Sequence, residues 1–256
     1  MLELDVAILN ERGGRDYNED SCGHWHAEGR LCCVLADGAG GHGGGQVASR
    51  LAVERTLSSF ADNPSSNGSA MHELVCGVNR AVLAGRSVDP QCANMHSTLV
   101  CLAVDYVRHR AHWAYAGDSR LYWFREGRVI EHTTDHSVVQ ALVDGGMLSA
   151  QQAREHPRRS ELRSALGSRE ELIEIDHSGA ARVVQAGDVF LLCSDGVWEC
   201  VSDAVLESTL TESTTVDEWL DAIEAAVGAA ANPTRQHDNF SAVAIAVRAA
   251  TDSGEE

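Results

Sequence analysis

Residues 31–38 read LCCVLADG, an unbroken apolar run closed by the pair Asp37-Gly38. A short apolar run of this kind fits a strand buried on both faces, and its end is a rigid place to hold an acid at the rim of a core. The pattern recurs. Residues 189–196 read VFLLCSDG, residues 112–118 read HWAYAGD, and Asp238-Asn239 stand just before the apolar run 242–247. Working outward, residues 4–9, 98–104, 111–116 and 121–124 also read as strands, and Glu126-Gly127 reads as the turn of a hairpin between 121–125 and 128–131. Apolar residues fall at helical spacing over 47–60, 71–84 and 216–231, the last opening on Thr215-x-x-Glu218. Two shorter helical stretches, 137–145 and 149–156, are joined by Gly145-Gly146, and Ser149-x-x-Gln152 is a second capping-box pattern. Strands thus come in adjacent groups broken by pairs of helices. That order predicts antiparallel sheets with helices outside, not the strand–helix alternation of a doubly wound sheet.

The chain has 256 residues, with 38 acidic and 20 basic side chains and a net charge of −18. Every basic residue is Arg. Without Lys there is no Walker-type loop, no kinase-type strand Lys and no Schiff base. The acid excess argues against nucleic-acid binding, which depends on cations neutralising phosphates. No run approaches the roughly 20 apolar residues of a membrane span, and the N-terminus lacks a signal-peptide pattern. The expected location is the cytoplasm, with regulation by partners instead of an attached anchor or sensor. The eight Cys show no C-x-x-C spacing, and none is followed six residues on by the Arg of a Cys-based phosphatase.

Asp37, Asp118, Asp195 and Asp238 are therefore all predicted at strand ends. Converging carboxylates repel one another and resist ionising, a conflict that divalent cations remove. An all-oxygen donor set suits Mg²⁺ or Mn²⁺ and not Zn²⁺. Gly38 leaves its carbonyl free to turn inward. The segment Arg15-x-x-Asn18-Glu19-Asp20 adds an Arg able to grip a phosphate and acids able to hold water beside a metal.

These segments resemble the metal-dependent protein phosphatases, the type 2C serine/threonine family, in its compact bacterial form. The matching stretches are 14–20 (GRDYNED), 34–49 (VLADGAGGHGGGQVAS), 97–99, 116–122 (AGDSRLY), 133–142 (TTDHSVVQAL), 163–167 (RSALG), 187–199 (GDVFLLCSDGVWE) and 238–247 (DNFSAVAIAV), in the family's order. The resemblance implies an α+β, four-layer α-β-β-α sandwich with two mainly antiparallel central sheets. It implies one domain over 1–250 with a flap at 143–173, followed by an acidic tail at 251–256. By matching positions Asp37 bridges two Mn²⁺ or Mg²⁺ ions, the Gly38 carbonyl binds one, and Asp195 and Asp238 bind the other. Asp118 with Asp195 holds a weaker third ion. Glu19 and Asp20 act mainly through water, Asn239 orients metal-bound water, Arg15 binds the substrate phosphate, and Thr98 supports the site. The implied reaction is attack on phosphoserine or phosphothreonine by a metal-activated water, without a covalent enzyme intermediate.

Where some relatives carry a His after the metal-binding Asp-Gly, this chain has Ala39, so leaving-group protonation is unassigned; His42 lies three residues on. The implied partners of this expected monomer are phosphoproteins, with a cognate Ser/Thr kinase and its substrates foremost. Residues 135–167 are similar to those of relatives acting on type VI secretion. Arg158, Arg159 and Arg163 of the flap are candidates to touch the phosphoprotein. The competing reading is a non-catalytic phosphoprotein-binding module on the same fold.

Overall fold

The computed structural model describes residues 2–27, 29–40, 44–65, 67–88, 90–230 and 237–250. The strands are β1 (Leu2–Glu11), β2 (Asp20–Ala27), β3 (Arg30–Ala39), β4 (His96–Ser97), β5 (Leu99–Asp105), β6 (Arg110–Ala116), β7 (Arg120–Arg125), β8 (Arg128–His132), β9 (Asp176–His177), β10 (Arg182–Val183), β11 (Val189–Cys193) and β12 (Phe240–Ala249). The helices are α1 (Gly44–Asp62), α2 (Gly68–Gly85), α3 (Val138–Asp144), α4 (Ala150–Arg154), α5 (Asp195–Trp198), α6 (Asp203–Glu212) and α7 (Val216–Ala230).

The continuous apolar runs arise because both faces of the central strands are covered. In β3, Leu31, Cys33 and Leu35 point between the sheets, while Cys32, Val34 and Ala36 point toward α1 and α2. In β11, Phe190 and Leu192 point inward, while Leu191 and Cys193 pack toward α7. One sheet has the order β1-β12-β11-β7-β8 and the other β10-β6-β5-β3-β2, with β4 beside β3 and β9 beside β6. The pairings are antiparallel throughout. Helices α1 and α2 cover the second sheet through Phe60, Met71 and Val75; α7 covers the first through Trp219 and Ile223. This is the predicted α+β sandwich, with two antiparallel sheets between helical layers.

All seven strand runs and the three long helices appear where the patterning places them, and the hairpin turns at Glu126 (φ 52°) and Gly127 (φ 73°). Ser149 and Gln152 close their capping box on α4. At α7, Thr215 accepts from the Glu218 amide, but the Glu218 carboxylate reaches back to Thr214, one residue earlier than the pattern implies. Six of these elements lie outside the sequence reading: the two-residue strands β4, β9 and β10, and β2, α5 and α6. β2 is a half-buried edge strand with mixed composition, α6 buries only Leu206, and α5 is a single turn. β3 also continues through Asp37-Gly38 to Ala39, because Gly38 pairs with Ser97 of β4.

The region expected as a flap, 143–173, contains the last two residues of α3, the Gly145-Gly146 turn, α4 and a looped return. The return pairs Leu162 with Ser137 and Leu166 with Ser97. The three arginines expected to touch a phosphoprotein are engaged: Arg158 with Glu161, Arg159 with Glu199, and Arg163 with Glu174. His42 and the 251–256 tail lie outside the described residues.

Candidate metal centre and active site

Strand register brings the acids together. Asp20 opens β2 and lies opposite Asp37 near the end of β3. Leu99 at the start of β5 pairs with Ala116 at the end of β6, two residues before Asp118. In the other sheet Cys193, which ends β11, pairs with Ala242 near the start of β12, so Asp195 and Asp238 flank neighbouring strand ends. Both sheets therefore present their carboxylates at the same edge of the sandwich.

The electrostatics express this crowding. Burial, then Asp20, Asp195, Asp118 and Asp238, hold the Asp37 carboxyl well above the usual range. Asp195 is raised by burial and then by Asp118 and Asp238. Burial and Asp135 push Asp118 up to about 7 against the opposing pull of Arg120. Asp20 is pushed up to about 6, mainly by burial, while the Ser194 hydroxyl donates to its Oδ2 at 2.7 Å. Burial also raises Glu19.

The donors fit hard divalent cations. Glu19 Oε1 and Asp20 Oδ1 are buried with no hydrogen-bond partner, a costly state that a cation or its water relieves. The surrounding groups are oxygens, as Mg²⁺ and Mn²⁺ prefer. Gly38 is buried, and its amide donates to the Glu19 carbonyl at 3.1 Å. A Cβ there would overlap the Gly45 carbonyl, so only Gly lets the two turns meet. Among the described residues no three His, Cys, Asp or Glu side chains already close on one point. One reason is visible: the Arg15 guanidinium donates to Asp238 Oδ2 at 2.6 Å, drawing that carboxylate toward the rim. A cation held by Asp238 would compete with Arg15 for that carboxylate.

Thr98 supports Asp37 as expected: its Oγ1 accepts the Asp37 amide at 2.9 Å and meets the Ser119 hydroxyl at 2.6 Å. The Asn239 side-chain amide donates to the Arg12 and Tyr17 carbonyls, and its Oδ1 accepts the Glu19 amide. Both donors hold the loop that carries Arg15 and Glu19, so Asn239 fixes that loop at the carboxylate edge.

Sequence reasoning missed Ser194 on Asp20, and Trp198, whose indole N–H donates to the Asp118 carbonyl at 2.9 Å. It also missed Arg120, which binds Asp135 through two bonds of 2.8 and 2.7 Å and lies 3.7 Å over the Trp198 ring. Each sits inside a quoted motif, but a motif does not name a partner far along the chain.

The family model described as Protein phosphatase 2C matches residues 12–238. The serine/threonine protein phosphatase PstP of Mycobacterium tuberculosis is 35% identical over 221 residues, covering 85% of this chain. The chain spans 40% of the length of PstP. The serine/threonine phosphatase stp of Listeria innocua is 32% identical over 226 residues, covering 85% of this chain and 87% of that protein. A crystal structure of the PstP catalytic domain with two manganese ions superposes with a TM-score of 0.80 at 30% identity, over 97% of this chain and 100% of that one. PppA, described as a key regulatory component of T6SS in Pseudomonas aeruginosa, superposes with a TM-score of 0.73 at 30% identity, over 95% and 97% of the two chains.

Proposed function

The chain belongs to the protein phosphatase 2C family, and on that premise we propose that it is a metal-dependent phosphatase releasing phosphate from phosphoserine and phosphothreonine on proteins. The observation that carries this reading is the carboxylate cluster at one sandwich edge, where burial and the charges of Asp20, Asp118, Asp195 and Asp238 converge on Asp37, with Arg15 beside it. Two divalent cations, Mn²⁺ or Mg²⁺, would supply a water of lowered pKa and the positive charge a phosphate needs.

In this reading Asp37, the Gly38 carbonyl, Asp195 and Asp238 would hold the two ions. Asp118 and Asp195 would hold a weaker third ion. Glu19 and Asp20 would hold water through their unpartnered oxygens. Arg15, on leaving Asp238, presents its guanidinium fork to two phosphate oxygens. Thr98 fixes the Asp37 backbone, and Asn239 holds the Arg15 loop in register. The residues thus position the ester and neutralise it, which is what phosphoryl transfer demands of a protein.

The partners we infer are phosphorylated proteins, foremost a bacterial Ser/Thr kinase and its substrates; likeness to PppA makes type VI secretion control one setting. Among the described residues no helix is long and apolar enough to cross a membrane. The test is phosphate release from a phosphothreonine peptide with Mn²⁺. The native chain should turn over, and Asp37→Asn or Asp195→Asn should lose at least about a thousandfold in kcat. No release by the native chain would overturn the proposal, and tight phosphopeptide binding without release would favour the non-catalytic binding module.

A further inference from the structure

A cavity of about 360 Å³ opens between α3 and α4 on one side and the turn after α5 on the other. That volume lies in the range of small-ligand sites, roughly 300–1,000 Å³. Its apolar walls are Val139, Val143, Ala150, Ala153, Trp198 and Val201. Its charges cancel. Arg120 is held by Asp135 and Arg159 by Glu199, while Arg154 and Asp203 add one charge of each sign. Gln140, Ser202 and His132 add polar edges, so the lining suits a side chain with an apolar body and disfavours an unpaired charge.

One wall is shared with the candidate active site. Trp198 closes the single-turn helix that Asp195 opens, and its indole N–H holds the Asp118 carbonyl. The cavity is therefore one side chain away from the carboxylate cluster. In an extended peptide, residues two apart point to the same side and lie roughly 7 Å from each other. That spacing matches the width of an indole.

We propose that this cavity is a subsite for an apolar side chain, of the Leu, Met or Phe class, two positions from the phosphoresidue of a protein substrate. The proposal rests on the phosphatase reading above and gives that activity a sequence preference. The guest packs against α3, α4 and Trp198, so it also fixes the flap over the bound peptide.

The test uses the full chain with Mn²⁺ and phosphothreonine peptides carrying Ala, Leu, Phe or Glu two positions before or after the phosphoresidue. Both kcat/KM and affinity by titration calorimetry are read. Leu and Phe should exceed Ala by about tenfold at one of the two positions, as expected for burying a few methylene groups, and Glu should not. Ala153→Leu, which fills the cavity, should abolish the preference while leaving hydrolysis of p-nitrophenyl phosphate unchanged. Val143→Ser, which makes one wall polar, should weaken it and serves if Ala153→Leu does not fold. Equal values for Ala and Leu peptides in both readouts would overturn the subsite, as would a preference that survives in folded Ala153→Leu. Failure of the phosphatase reading looks different: p-nitrophenyl phosphate and every peptide stay intact, while the affinity series still reports on the cavity.

Discussion

At Asp37, burial and four neighbouring acids act in the same direction, and the cost falls on the folded state whenever no cation is bound. Asp20 is raised to about 6 and Asp118 to about 7, from an unfolded value near 4. The folded chain thus holds more protons than the unfolded chain across that window. Raising the pH from about 4 to about 7 therefore removes stability from the metal-free protein. Melting in EDTA should show Tm falling over this range relative to Asp118→Asn, and Mn²⁺ should shrink the difference. A fall identical in both proteins would exclude Asp118 as a source. Arg15 has two claimants, Asp238 in the structure and the phosphate in the proposed reaction. Arg15→Ala should raise KM for a phosphopeptide by roughly ten- to a hundredfold, the worth of a charge-assisted bond, with kcat changed much less; steady-state kinetics separate the two. The acids themselves are legible in sequence because each closes or adjoins an apolar run. Their partners are not: Arg15 and Asp238 are 223 residues apart, Ser194 and Asp20 174, and Trp198 and Asp118 80.

Elements were readable in proportion to how much apolar surface they bury. β3, β5 and β11 are covered on both faces and announce themselves as unbroken runs, whereas β2 and α6 sit at the margin and carry little pattern. α4 illustrates an element held by local chemistry. It buries no residue, and its capping box from Ser149 to Gln152 satisfies amides at its first turn. Ser149→Ala should lower local stability by about 1 kcal/mol, seen as faster amide exchange in α4 with global Tm nearly unchanged. Unchanged exchange would mean that packing against the rest of the flap region, not the cap, forms this turn.

Across the whole molecule, three apolar layers stack: α1 and α2 on one sheet, the contact between the sheets, and α7 on the other sheet. Trp219 is fully buried in the outer layer, edge-on to Phe124 at 5.2 Å, with its indole N–H on the Leu206 carbonyl and the Thr209 hydroxyl. Trp219→Ala should cost about 3–5 kcal/mol in urea unfolding, far from the carboxylate edge. Metal affinity of the folded fraction should stay within a few-fold, and a large loss would show that this layer also sets the site. The amino-acid sequence by itself determined the long buried strands and the three long helices, which acids stand at strand ends, and the family order of the motifs, because apolar period and turn chemistry are local properties. Only the tertiary structure decided that both sheets bring their acids to one edge. It also decided that Arg15 holds Asp238, that Asn239 spends its amide on a loop, and that α3 and α4 leave a cavity against Trp198. Those outcomes depend on strand register and layer stacking between residues distant in the chain, which no local pattern records.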